Sequence, residues 1–274
     1  MNYREEDTIL YVDKISLGYD DKIILKDVSF TEKNTVREGY ESTGQVIAFL
    51  GRSGRGKSTL FKALTGLVKP IDGKILITDL ASEDSSDAKE VSEGDIGFVD
   101  QKYTLFRHKT VTQICNYALR NITNISKSEK VELIDWYLNE WGLTNQKDKY
   151  SCELSGGQRQ RTAIIEQMLA NKHFMILDEP FSGLDVGNID KVKVSFERIK
   201  NANEYNTIIF STHDINLAVE LADSIYLVGF PEGTTDYSTI VKHYDLKAMG
   251  LAWKEYGEGH RSVFSDIKET LLRS

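Results

Sequence analysis

The chain has 274 residues, a length that fits one large domain with room for a subdomain. Its formal net charge of −8 argues against a broad nucleic-acid-binding face, so no nucleic-acid partner is expected. Cys115 and Cys152 lack CxxC spacing and adjacent histidines, which predicts reduced thiols rather than a disulfide or zinc framework. We expect neither a signal peptide nor a membrane span, because no apolar run approaches the roughly 18 residues that a span requires.

The first hundred residues read mostly as short strands, at 9–12, 23–25, 28–30, 46–50 and 96–99. The polar stretch 31–44 is predicted to be a hairpin loop or an insertion. Residues 58–67 have helical composition, and Gly66 and Pro70 mark the end of this predicted helix. The acidic, serine-rich stretch 81–95 predicts a solvated loop.

Residues 103–150 are predicted to be helical. Ser126 and Glu129 form a plausible capping box there. One helix face follows, in which apolar residues recur every three or four positions: Val131, Ile134, Leu138 and Trp141.

Beyond Gln160, helices and strands alternate. The predicted helices span 161–169, 189–199 and 215–222, and the predicted strands span 174–177, 207–210 and 225–228. Such alternation predicts a parallel sheet covered on both faces. No internal repeat is visible, which indicates a single domain over 1–274, and no motif is recognised in the tail 230–274.

A phosphate-binding loop stands between a predicted buried strand and a predicted helix. It matches G-x-x-x-x-G-K-[ST] with Gly51, Arg52, Ser53, Gly54, Arg55, Gly56, Lys57 and Ser58, followed by Thr59. Glycines let backbone N–H groups curl around phosphate oxygens, and the helix N-terminus adds partial positive charge. Lys57 is expected to reach the β- and γ-phosphates and Ser58 to ligate Mg²⁺. Arg55 either points at the nucleotide or only at solvent.

Two carboxylates follow the apolar strand 174–177. A buried strand that ends in Asp178 and Glu179 needs a cation or a proton-transfer role for these acids. Asp178 would hold Mg²⁺ through water, and Glu179 would polarise an attacking water as general base. The alternative is an aspartate that only caps the next helix.

A third motif narrows the class of phosphate-loop protein. Leu154-Ser155-Gly156-Gly157-Gln158 resembles the signature motif of ATP-binding cassette (ABC) ATPases, which in that family faces the γ-phosphate bound by the opposite subunit. Further resemblances occur in the family's order. They are Tyr19 as an adenine-stacking aromatic, Gln101 as the glutamine loop that senses Mg²⁺, Asp185 in the loop between the two subunits, and His213 as the switch histidine.

The resemblance implies an α/β fold. We expect a P-loop NTPase core with a mostly parallel sheet, an N-terminal antiparallel β subdomain and an inserted helical subdomain at about 103–155. ATP and Mg²⁺ are the implied cofactors. The implied partners are a second ABC cassette, separate transmembrane permease subunits and a substrate-binding protein. The implied location is cytoplasmic, at the inner face of the membrane.

The subfamily and the function class leave alternatives. Residues 212–223 resemble importer-type cassettes, in the style of those that serve nitrate, sulfonate, taurine or polar amino acids. A soluble single-cassette ABC ATPase, such as an iron–sulfur assembly factor, is a second class, and a catalytically inactive cassette is a third. Arg52, Arg55 and the Ile165-Glu166-Gln167 sequence depart from the family pattern without removing a catalytic group.

Overall fold

The computed structural model describes residues 3–20, 22–37, 39, 44–79, 87–170, 173–184, 186–203 and 205–274. The strands are β1 (Tyr3–Tyr19), β2 (Lys22–Arg37), β3 (Gln45–Leu50), β4 (Asp72–Thr78), β5 (Ala88–Glu90), β6 (Gly97–Val99), β7 (Phe174–Leu177), β8 (Thr207–Thr212), β9 (Ser224–Gly229) and β10 (Thr239–Asp245). The α-helices are α1 (Lys57–Leu64), α2 (Val111–Ala118), α3 (Lys127–Glu140), α4 (Gly156–Leu169), α5 (Val186–Ala202), α6 (Ile215–Leu221) and α7 (Glu258–Arg273).

The strands form two sheets. The first is antiparallel, in the order β2-β1-β4-β5, and the second has the order β10-β9-β3-β8-β7-β6. All neighbours in the second sheet run parallel except β10, which pairs antiparallel with β9. The predicted fold class is therefore confirmed.

The second sheet is covered on both faces, which explains why its strands read as continuous apolar runs. Alternate residues of β3 enter different cores, because successive side chains point to opposite faces of a strand. Ile47 and Phe49 pack in the core that contains α1 and the antiparallel sheet. Val46, Ala48 and Leu50 pack in the core that contains the helices of the inserted subdomain and of the later alternation.

The stretch 31–44 corrects one prediction. Residues 31–37 are not a loop but the second half of β2, which pairs with β1 up to Tyr3–Arg37. The polar residues are buried by distant partners: the Tyr226 hydroxyl donates to Glu32 Oε1 at 2.7 Å, and Lys247 Nζ lies 3.9 Å from Glu32 Oε2. A polar stretch is therefore exposed only when no distant residue supplies its side chains with hydrogen bonds or ion pairs.

In the inserted helical subdomain the predicted capping box is confirmed. Glu129 N donates to Ser126 Oγ at 3.2 Å, and Ser126 N donates to Glu129 Oε2 at 2.6 Å. On the predicted helix face, Ile134, Leu138 and Trp141 are buried, but Val131 is 54% exposed. Val131, the fifth residue of α3, therefore lies outside the buried face of this helix.

Several strands and helices were not predicted from the sequence. The strand β5 lies inside the stretch predicted as the solvated loop 81–95, of which residues 81–86 lie outside the described residues. The tail contains β10, which extends the parallel sheet, and α7, which packs against α6. Among the described residues, no helix combines the length and apolar character that crossing a membrane demands.

Candidate functional site

The phosphate loop connects β3 to α1 at one end of the parallel sheet. Gly54 and Gly56 have φ values of 81° and 88°, in the left-handed region that favours glycine. A Cβ at Gly56 would lie 2.9 Å from a methyl carbon of Ile24, so the loop also needs glycine for space. No side chain caps the N-terminus of α1, which leaves its N–H groups available to an anion.

Lys57 is held inside this loop. Its Nζ donates to the carbonyl oxygen of Gly51 at 2.7 Å and of Arg52 at 3.3 Å, and it lies 3.8 Å from Glu179 Oε1. Burial lowers the pKa of Lys57, whereas Glu179 and Asp178 oppose this by stabilising the charged form. The ammonium group is therefore directed at the loop and at the carboxylates.

The two carboxylates follow β7 and are fixed by its neighbour β8. Ser211 Oγ donates to Asp178 Oδ1 at 2.6 Å and accepts a bond from Glu179 N at 2.8 Å. Glu179 has a φ of 51°, a left-handed conformation that is costly for a residue with a side chain. This conformation places Glu179 Oε2 at 3.0 Å from His213 Nδ1.

A cavity of about 590 Å³ joins these parts. Most of the sequence-predicted site residues line it: Ser53, Gly54, Arg55, Gly56, Lys57, Ser58, Thr59, Gln101, Asp178, Glu179 and His213. Ile24 and Ser182 also line it and were not predicted. Ile24 leaves no space for a side chain at Gly56, and no sequence motif predicts this contact.

The donor set in the cavity fits a magnesium ion. A Ser58 hydroxyl, a Gln101 amide oxygen and an Asp178 carboxylate are the hard oxygen ligands that Mg²⁺ prefers. The described residues contain no group of three His, Cys, Asp or Glu side chains arranged for a metal. Mg²⁺ usually binds proteins through one or two carboxylates and takes its other oxygens from phosphates and water, so the three side chains of this cavity are sufficient protein ligands.

The carbonyl oxygen of Pro180, directly after Glu179, links three segments. Gln160 Nε2 on α4 donates to it at 2.6 Å, and the Tyr103 hydroxyl approaches it at 3.5 Å. Burial raises the pKa of Tyr103 to about 12, so this hydroxyl keeps its proton at neutral pH. The helix α4, which begins within the Leu154–Gln158 motif, is thereby fixed to the segment that carries Glu179.

Comparisons with known proteins agree with this geometry. A model of the family described as "ABC transporter" matches residues 40–182, just over half of the chain. The chain belongs to the ABC transporter family. The sulfate/thiosulfate import ATP-binding protein CysA 1 of Agrobacterium fabrum is 36% identical over 189 residues, which cover 68% of this chain and 53% of that protein. The chain thus spans about half the length of that relative.

Two further likenesses extend over more of each protein. The arginine transport ATP-binding protein ArtM of Bacillus subtilis is 35% identical over 219 residues, covering 79% of this chain and 86% of that protein. The structure of cbiO1 from Clostridium perfringens, part of the ABC transporter complex cbiONQ, superposes with a TM-score of 0.70 at 26% identity. It covers 98% of this chain and 97% of that one.

Not every predicted residue of this ABC transporter family chain lines the cavity. Tyr19, at the end of β1, is 45% exposed and is not among the lining residues. The first two loop residues and four signature residues also do not line the cavity: Gly51, Arg52, Ser155, Gly156, Gly157 and Gln158. Asp185 lies outside the described residues.

The signature residues instead form the start of α4. Ser155 is the N-cap: Gln158 N donates to Ser155 Oγ at 3.4 Å, and Ser155 N donates to Gln158 Oε1 at 3.0 Å. Both Ser155 and Gly156 are exposed, and a Cβ at Gly156 would meet open space. The N-terminus of α4 therefore presents an accessible surface outside the cavity of its own chain.

Proposed function

We propose that this chain is the ATP-binding and ATP-hydrolysing subunit of an ABC transporter, pairing with a second cassette and driving separate membrane subunits. One observation carries the proposal. A single cavity contains the phosphate loop, Gln101, Asp178, Glu179 and His213, whereas the signature segment at Ser155 lies elsewhere.

The site residues divide the chemistry among them. Loop N–H groups, the N-terminus of α1 and Lys57 bind the β- and γ-phosphates. Magnesium, held by Ser58, Gln101 and Asp178, would neutralise phosphate charge when bound. Glu179 orients a water and takes its proton as general base. His213, hydrogen-bonded to Glu179, fixes the direction of this carboxylate and reaches the γ-phosphate.

Pairing follows from the separation of the two helix N-termini. The N-termini of α1 and α4 both suit an anion, yet only the first belongs to the cavity. Two copies related by a two-fold axis would place each Ser155 against the partner's phosphate loop, and such an arrangement closes on itself. Tyr19 and Asp185 would complete the site as the adenine platform and the intersubunit loop.

The helical subdomain is the proposed docking region for the membrane subunits. It exposes aromatic side chains beyond those that its core needs: Phe106, Tyr117, Trp136 and Tyr150. A second cavity of about 570 Å³ lies between this subdomain and Gln101, and is lined in part by Tyr103 and Arg159. A partner seated there would contact the glutamine that faces the nucleotide.

The relatives support import as the direction of transport. Their names refer to sulfate/thiosulfate import and to arginine transport. On this proposal the chain works at the cytoplasmic face of the membrane, with a substrate-binding protein as a further partner of the complex.

The dimer gives a direct test. Glu179→Gln protein should be monomeric without nucleotide and dimeric with Mg-ATP in multi-angle light scattering. Adding Ser155→Arg, which places a bulky cation where the partner's phosphates would lie, should abolish the dimer while the monomer still binds ATP. A Glu179→Gln protein that binds Mg-ATP and stays monomeric would contradict cassette pairing.

A further inference from the structure

Arg55 is the one side chain between two glycines of the phosphate loop. Gly54 and Gly56 both adopt positive φ, and glycine backbone is the most mobile that a chain can have. A loop built in this way gains affinity for phosphate when other contacts hold it in its binding shape, because less conformational entropy is lost on binding. Arg55 provides two such contacts, both with residues that do not line the nucleotide cavity.

The Arg55 side chain borders the nucleotide cavity and also contacts two residues outside it. Its guanidinium carbon lies 3.7 Å from the ring centroid of Phe230, and its Nη2 donates to the main-chain carbonyl of Ser274 at 3.3 Å. A planar guanidinium stacks on an aromatic face, which is a geometry that lysine cannot reproduce.

Phe230 is a fixed support for this contact. It directly follows β9, and β9 pairs with β3 up to Leu50–Leu227. A Cβ at Gly51 would lie only 2.4 Å from the carbonyl oxygen of Val228, so the start of the phosphate loop also rests on this strand. The ring under Arg55 therefore moves with the sheet that carries the loop.

Ser274 brings the C-terminal helix into the same contact. Its N–H bonds the carbonyl of Thr270 at 3.1 Å, and α7 is anchored by the buried side chains of Val263 and Ile267. The helix α7 also packs against α6, the helix that follows His213. The segment made of α7 and Ser274 thus contacts both the phosphate loop and the helix that follows His213.

We infer that Arg55 is a positioning residue that clamps the phosphate loop to Phe230 and to the end of α7, so that the C-terminal segment sets the affinity for nucleotide. This inference rests on the proposed ATP-binding function. Neither Phe230 nor Ser274 lines the nucleotide cavity, whereas Arg55 does, so Arg55 is the residue that joins the two contacts to the site.

The test compares ATP affinities by calorimetric titration in the presence of Mg²⁺. Phe230→Leu should weaken ATP binding by about three- to tenfold, the range expected from one cation–π contact. Phe230→Trp, which keeps an aromatic face and has room in the adjoining cavity of about 470 Å³, should retain the affinity. Arg55→Lys should weaken ATP binding as much as Phe230→Leu does, although lysine keeps the positive charge.

A double-mutant cycle separates coupling from independent damage. In an Arg55→Ala background, Phe230→Leu should have no further effect on ATP affinity. In steady-state assays the KM for ATP should rise while kcat is retained, because the loss lies in binding. Arg261→Ala, which removes an exposed arginine elsewhere on α7, is the matched control and should bind ATP normally. Thermal unfolding without nucleotide checks that each variant is folded.

Three results would overturn the inference while leaving the proposed function intact: unchanged affinity in Phe230→Leu, losses that add in the double variant, or full affinity in Arg55→Lys. Full affinity in Arg55→Lys would mean that Arg55 supports ATP binding through its positive charge and not through stacking on Phe230. A wild-type protein that fails to bind ATP would instead overturn the proposed function, and this inference with it.

Discussion

His213 Nδ1 lies 3.0 Å from Glu179 Oε2, while Lys57 Nζ lies 3.8 Å from the other oxygen of the same carboxylate. Glu179 is therefore held between His213 and Lys57, on a backbone with a φ of 51°. These restraints fix where the carboxylate points, which is the geometric condition for a general base.

Replacing Glu179 with glutamine should separate catalysis from binding. The amide keeps the size of the side chain but cannot accept a proton from water, so ATP turnover should fall by roughly a hundredfold or more. ATP affinity should change little, because the phosphate loop is intact. Steady-state hydrolysis and equilibrium binding on the same preparation measure both quantities, and near-wild-type turnover would refute the role of Glu179 as base.

Replacing Lys57 with alanine should act on binding itself. The change removes the ammonium and leaves the carbonyl of Gly51, which accepts its bond at 2.7 Å, without this donor. In the complex with ATP the change also removes the proposed bond from Lys57 to a phosphate. Loss of a hydrogen bond between charged groups costs about 1.5–3 kcal/mol, roughly a tenfold to hundredfold weaker ATP affinity. Direct titration with ATP checks this. Unaltered affinity would show that Lys57 does not contact the phosphates.

Gln160 should prove important for stability and for turnover together. Its side chain is 1% exposed and donates to the carbonyl of Pro180. Gln160→Leu would leave that buried carbonyl without its principal donor, at a cost of about 1–3 kcal/mol in the free energy of unfolding. Hydrolysis should also slow, because Pro180 adjoins Glu179.

Urea unfolding measures the stability of this variant. Gln167→Leu, on the same helix, is the control and should shift the free energy by no more than about 0.5 kcal/mol. Equal effects of the two substitutions would mean that helix α4 tolerates neither change, and that the Pro180 contact has no special role.

The raised pKa of Glu166 predicts that the stability of the protein depends on pH. Burial raises the pKa of Glu166 to about 7, against a lowering by Arg120. The folded protein therefore binds more protons at this residue than the unfolded chain does between pH 4.5 and 7, and the free energy of unfolding should fall as the pH rises through this window.

Glu166→Gln tests this directly. The variant should be more stable than wild type at pH 8, by about 1–2 kcal/mol after allowance for partial exposure, and should match it near pH 4.5. Thermal unfolding at the two pH values measures the difference. The control is Glu132→Gln, at an exposed position of α3. A constant difference between Glu166→Gln and wild type at both pH values would argue for a packing effect instead.

The local parts of the site could be predicted from the sequence, because each is made by neighbours in the chain. Gly54, Gly56 and Lys57 of the phosphate loop lie within a few residues of one another, as do the two acids after β7, and all of them line one cavity. The Ser126–Glu129 capping box forms as predicted. The strand-and-helix alternation predicted the parallel sheet because a strand buried on both faces must be apolar throughout.

Only the tertiary structure decided the contacts between distant segments. Tyr226 and Glu32 are 194 positions apart, and their hydrogen bond turns a polar stretch that reads as a loop into a buried strand. Arg55 and Ser274 are 219 positions apart, so nothing beside the phosphate loop in the sequence indicates that its arginine lies on Phe230 and the end of α7. Periodicity and motifs report what a segment needs from its surroundings, whereas packing determines which distant residue provides it.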